Sequence, residues 1–157
     1  MERAEPPRFL ADAMLERLAR WLRVLSLDVA SAEQAAPDDE VVRRAVAEGR
    51  TLLTRDRRLA EECPEVAVRI RASAPRAQLA EVVARFGIEW PGDEALFRRC
   101  LVCNAPLGPA TAEQVAQQAA AVERGEEFYA CPRCGRVYWE GGHTRRMREE
   151  VRRGVEG

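Results

Sequence analysis

Four of the five cysteines fall in two C-x-x-C pairs, Cys100/Cys103 and Cys131/Cys134. Two intervening residues let one tight turn aim both sulfurs at a single ion, and four thiolates complete the tetrahedral shell that zinc prefers. With every coordination position filled by protein, such a site is structural and carries no activated water. The 27 residues between the pairs exceed the ~15–20 of the simplest pattern. An Ala/Gln-rich stretch over 111–123, with Thr111 as its N-cap, accounts for the excess as a helical insertion. A redox dithiol uses one pair at a helix start within a strand–helix unit, and neither pair sits so. Cys63 stands alone as a bystander.

A second constellation is acidic. Asp12 ends the apolar run "RFLAD", Asp38 and Asp39 follow Pro37, and Asp56 lies two residues past "TLLT". Hard divalent cations such as Mg²⁺ or Mn²⁺ choose carboxylate oxygens, orient water and stabilise charge on a phosphodiester. Each acid also has a structural reading. Asp38 can cap a helix that Pro37 opens, Asp39 can favour that helix's dipole, and Asp56 can cap a helix at 57–62. Asp12 has the weakest structural reason to end an apolar strand.

The elements that must position these groups follow from periodicity. Residues 8–12, 28–30, 51–54 and 66–70 read as short strands. Met14, Leu15, Leu18, Ala19, Leu22 and Leu25 repeat at helical spacing over 13–25, with Arg17, Arg20 and Arg23 on the surface. Further helices run from Pro37 to Gly49, briefly after Asp56, and from a Ser73 cap to Gly87. Strands alternating with helices predict an α/β fold with a parallel sheet covered on both faces, which gathers function at its strand C-termini. "EWPGDEA" at 89–95 breaks the pattern. The expected organisation is an α/β domain over 1–92, a zinc ribbon over 96–143 with "RVYW" as one strand, and a charged tail over 144–157 that frays or forms a terminal helix.

The 157 residues are 46% hydrophobic and 32% charged, which fits a globular chain and not a disordered one. All 25 basic side chains are arginine, so Schiff-base chemistry and a Walker lysine are excluded. Net charge is −1, and a polyanion would be drawn only by local arginine clusters. There is no membrane-spanning apolar run and no basic-then-apolar leader, and thiols kept for metal suit a reducing compartment, so the expectation is cytoplasmic.

Taken together, these blocks of residues resemble a known family. "FLADAMLERLARWLRVLSLDV", "DDEVVRRAVAEGRTLLTRDRRL", "FRRCLVCNAPL" and "FYACPRCGRVYWEGGHTRRM" are similar to the Mut-seven C-terminal RNase domain. That family joins a PIN-like ribonuclease domain, a mostly parallel sheet flanked by helices, to a small C-terminal zinc ribbon. The resemblance implies a metal-dependent ribonuclease with RNA as partner. Asp12, Asp39 and Asp56 would hold Mg²⁺ or Mn²⁺, Arg55 would hold the phosphate, and the four cysteines would hold structural zinc. Arg17, Arg20, Arg136, His143 and Arg145 are the expected nucleic-acid contacts, His143 through the family's "GxH" feature. A solvated helix face is the alternative for Arg17 and Arg23, and for the tail arginines interleaved with Glu149 and Glu150. Glu16 and Ser26 stand where the family tends to have glycine. A fourth acid has no clean counterpart, with Asp28, Asp93 and Glu94 the nearest candidates. The rival expectations are a non-catalytic zinc-ribbon adaptor and a hydrolase of small phosphorylated molecules.

Overall fold

A computed structural model describes residues 4–118 and 127–157. Four short strands, β1 (Phe9–Ala11), β2 (Val29–Ser31), β3 (Thr51–Thr54) and β4 (Ala67–Arg69), form a parallel sheet in the order β2-β1-β3-β4. Parallel strands buried on both faces need continuous apolar runs. Phe9, Leu10, Ala11, Leu52 and Leu53 supply them, and all five are fully buried.

The helices cover both faces. A 3₁₀ turn (Ala13–Leu15) leads into α1 (Glu16–Val24), which packs with α4 (Pro75–Phe86) over one face. The other face carries α2 (Asp38–Glu48) and α3 (Arg57–Glu62), whose Val41, Ala45 and Leu59 close a second cluster around Leu10 and Leu52. Cys63 packs against that second cluster as a half-buried thiol. Gly49 and Gly87 end α2 and α4 in the left-handed conformation, as the sequence predicts. Two caps differ from expectation. Pro37, not Asp38, occupies the N-cap of α2, and no side chain caps it. Ala74, not Ser73, precedes α4, where Pro75 at the first helical position needs no amide partner.

Beyond a 3₁₀ turn at Asp93–Ala95, the chain forms a three-stranded antiparallel ribbon of β5 (Gly108–Pro109), β6 (Phe128–Ala130) and β7 (Val137–Trp139). The helix expected at 111–123 is seen as α5 (Ala112–Ala116), opened by a Thr111/Gln114 capping box. Residues 119–123 of that expected helix lie outside the described residues.

The tail forms α6 (Gly142–Glu156) and returns to the α/β layer. Val151 is fully buried in the core shared by α1 and α4. Gly154 sits so close to α4 that a Cβ there would meet Leu79 Cδ2 at 2.5 Å. Among the described residues, no helix is long and apolar enough to cross a membrane.

Candidate metal centre and acidic edge

The two cysteine pairs are built alike. Cys100 N–H donates to Ala105 O at 2.8 Å and Asn104 N–H to Cys100 O at 2.9 Å. In the second turn Cys131 N–H donates to Arg136 O and Gly135 N–H to Cys131 O, both at 2.9 Å. Each turn is completed by a residue with positive φ, Asn104 at 68° and Gly135 at 79°. Glycine meets that requirement freely and asparagine is among the few others that tolerate it.

The turns bring all four sulfurs within 4.8 Å of one another. Cys100 and Cys134 are 3.6 Å apart, Cys103 and Cys131 3.3 Å. Four sulfurs about 2.3 Å from a tetrahedral ion stand roughly 3.8 Å from each other, so the group could hold a zinc ion. Thiols this close cannot share their ionisation evenly without a cation. Burial raises the Cys100 thiol, yet the Tyr138 hydroxyl and the amides of Cys103 and Val102 bring it down to about 6. Burial and the neighbouring sulfurs push Cys103 up to about 12. The Tyr138 hydroxyl, 3.1 Å from Cys100 Sγ, also accepts from the Leu101 amide at 3.2 Å. Tyr138 therefore serves the first turn and not the solvent.

Asn104 and Arg23 fasten this centre to the sheet, and Ser26 ties the end of α1 to the segment before the first cysteine. Asn104 Oδ1 accepts from Val29 N–H at 2.9 Å, and its Nδ2 donates to Asp28 at 2.7 Å. Arg23, expected on a solvated face, is instead 1% exposed. Its guanidinium donates to Leu101 O at 2.7 Å, Val29 O at 2.9 Å, Ser31 Oγ at 2.7 Å and Glu16 at 3.2 Å. The ribbon covers that side of α1, and five donors in a rigid fork reach three elements at once. Ser26, at φ 64°, keeps its left-handed turn with a hydroxyl that donates to Ala95 O and accepts from Arg98 N–H.

The acids lie at the carboxyl edge of the sheet, where parallel strands finish. Asp12 follows β1, Asp56 follows β3, and α2 begins on the same edge with Asp38 and Asp39. Pairing of Ala11 with Leu53 sets Asp12 beside Thr54. Thr54 Oγ1 donates to Asp12 Oδ2 at 3.0 Å and accepts from Asp56 N–H at 3.0 Å. Asp56 caps α3 through Leu59 N–H at 3.1 Å. Arg55 lies between Thr54 and Asp56 in the chain, and its buried Nε has no hydrogen-bond partner among the described residues. Asp39 is exposed and pairs with Arg43 at 3.2 Å. Among the described residues the four cysteines, and not the three aspartates, have ligand atoms within 4.8 Å of one another.

The candidates for a fourth acid lie elsewhere. Asp28 precedes β2, at the opposite end of the strands, and is held by Arg50, Asn104 and Arg8. Asp93 accepts from Trp90 Nε1. Glu94 lines a cavity against the ribbon. Of the expected nucleic-acid contacts, Arg20, Arg136 and His143 line one cavity of about 540 Å³, and Arg17 joins Arg20 and His143 in a second of about 490 Å³. Arg145 lines neither.

The architecture is a parallel α/β layer with acids at its carboxyl edge, joined to a ribbon whose four cysteines could hold a zinc ion. The chain belongs to the Mut7-C RNAse domain family, whose model matches residues 7–151. Comparison with curated proteins and with solved structures found no match.

Proposed function

We propose that the protein is a metal-dependent ribonuclease that hydrolyses RNA phosphodiester bonds at the Asp12–Asp56 edge, in the cytoplasm. The observation that carries this reading is the Thr54 bridge, which orients the Asp12 carboxylate past one strand and holds the Asp56 backbone past its neighbour. A hard divalent cation, Mg²⁺ or Mn²⁺, suits these oxygen donors and supplies a water of lowered pKa and neutralisation of phosphate charge. Asp12 and Asp56 are the ligand pair. Asp39 joins them by exchanging Arg43, an exposed partner worth under about 1 kcal/mol. Arg55, beside Asp56 with an unsatisfied Nε, grips a phosphate oxygen. The cysteine group holds structural zinc and keeps the ribbon in place as an RNA-binding wall. In this reading 1–92 is the nuclease domain, 96–143 the ribbon, and 144–157 the helix that ties them.

The test is RNA turnover in Mn²⁺ by the zinc-loaded chain and by Asp12→Asn. The expected result is cleavage by the first and none by the second, with zinc content and helicity unchanged. Full activity in Asp12→Asn would falsify the assignment. The spacing of the three aspartates, wider than that of the cysteines, favours a second reading as a non-catalytic adaptor, which predicts RNA binding without turnover in any divalent metal.

A further inference from the structure

Two neighbouring cavities share Arg20, His143 and Met147 in their linings. Together they make one trough. Its first part is walled by α1, through Arg17, Arg20 and Trp21, and by α6, through His143, Arg146 and Met147. The α6 residues are spaced by three and four, so they share one helix face. The second part turns onto the ribbon, along Arg136, Val137 and Trp139. The α1 end opens at Glu16, four residues beyond Asp12.

The charge in this trough is unbalanced in a specific way. Its two carboxylates are already engaged outside it, Glu16 with Arg23 and Glu150 with Arg76. Several arginines elsewhere pair with acids on their own helices, as Arg43, Arg44, Arg57, Arg58 and Arg152 do. Arg17, Arg20, Arg136 and Arg146 have no ion pair with any described carboxylate. The Arg17 guanidinium lies 5.3 Å over the Trp21 ring, a planar pair that offers a stacking face. Uncompensated arginines beside aromatic and thioether side chains in a concave channel are the recognition chemistry of an unpaired nucleic-acid strand. A duplex presents its phosphates on a convex surface and hides its base faces.

From this we infer that the trough between α1, α6 and the ribbon binds single-stranded RNA and leads it to the Asp12 edge. The inference rests on the ribonuclease reading and adds to it the form of the substrate and its path, including Trp21, Arg146 and Met147. The experiment measures binding apart from cleavage. A labelled single-stranded oligoribonucleotide of about a dozen nucleotides is titrated with full-length, zinc-loaded Asp12→Asn protein, without Mg²⁺ or Mn²⁺. Adding Arg20→Glu or Arg136→Glu, both at exposed positions, is expected to raise Kd about tenfold or more and to flatten its salt dependence by about 0.7 for each phosphate no longer neutralised. Arg85→Glu, on α4 away from the trough, makes the same charge change and is expected to leave Kd unaltered. A duplex of the same sequence is expected to bind more weakly. Unchanged affinity in both trough variants, or a duplex bound as tightly as the strand, overturns the inference. Failure of the ribonuclease reading looks different: the strand binds, the trough variants weaken it, and the chain with Asp12 intact leaves it uncut in Mn²⁺.

Discussion

Thr54 holds Asp12 by donating its hydroxyl to Oδ2 at 3.0 Å, and the same oxygen receives the Asp56 amide. A fully buried hydroxyl thus sets the direction of one acid and the backbone of the other. Thr54→Val keeps the shape and removes both bonds, leaving the Asp56 amide without its acceptor. The expected loss is about 1–3 kcal/mol of stability, with cleavage falling further than stability because Asp12 is no longer aimed. Thr54→Ser restores the bonds. Turnover of all three proteins in Mn²⁺, read beside their urea midpoints, checks this; equal turnover in Thr54→Val would remove the bridge from the mechanism.

Arg23 joins α1, β2 and the first cysteine turn through one guanidinium. Arg23→Met fills much of the volume but strands Glu16 and the Leu101 carbonyl. Glu16 is 40% exposed and can be solvated, so the main cost is the carbonyls left without a donor, about 1–3 kcal/mol. Denaturant unfolding should show that drop as a single transition. A loss within experimental error would mean that the ribbon docks by other contacts.

Zinc removal should be felt beyond the ribbon. Because Asn104 caps the free edge of β2 from within a cysteine turn, loosening that turn uncovers Val29 N–H. Treatment with a chelator, or Cys103→Ser, is expected to lower the melting temperature of the whole chain and to release one zinc per chain. Unchanged melting of the α/β layer with complete metal loss would show that the two parts are energetically separate.

Acid stability should depend on Asp28. Burial pushes its carboxyl up, but hydrogen bonds from Arg50, Asn104 and Arg8 hold it well below the usual carboxylate range. A depressed folded-state pKa stabilises the fold fully above the unfolded value of about 3.9. That contribution is lost as pH falls through the folded value. Asp28→Asn should therefore lower stability near neutrality by roughly 1–3 kcal/mol, with the deficit shrinking in strong acid. A deficit that is the same at all pH values would show that packing, not charge, is what the substitution disturbs.

The sheet and the four-cysteine group were legible because their signals are local. Apolar runs ending in acids mark parallel strands, and a C-x-x-C turn needs nothing outside itself. What sequence concealed depends on surfaces meeting. Arg23 sits one turn from Arg20 and looks equally solvated, until the ribbon covers one and not the other. In α6 the alternation of arginine and glutamate hides a narrow seam of Met147, Val151 and Gly154, so the tail reads as charged when one side is core. Asp28 had the type of an active-site acid but lies at the wrong end of its strand. Thr54 carried a faint signal, a polar residue at the end of a buried strand just before Arg55-Asp56. The form of the acidic site was the least legible, since carboxylate spacing depends on rotamers that no pattern fixes.

The burial of Val151 against a core that begins at Phe9 has a consequence for how the molecule is born on the ribosome. The helix α6 emerges after the α/β layer and the ribbon, so the apolar faces of α1 and α4 wait uncovered until it is made. Capture of zinc by the two cysteine turns, which precede α6, would shorten the remaining search for that closing contact. Metal starvation during translation should then show as aggregation of new chains before it shows as lost activity in old ones.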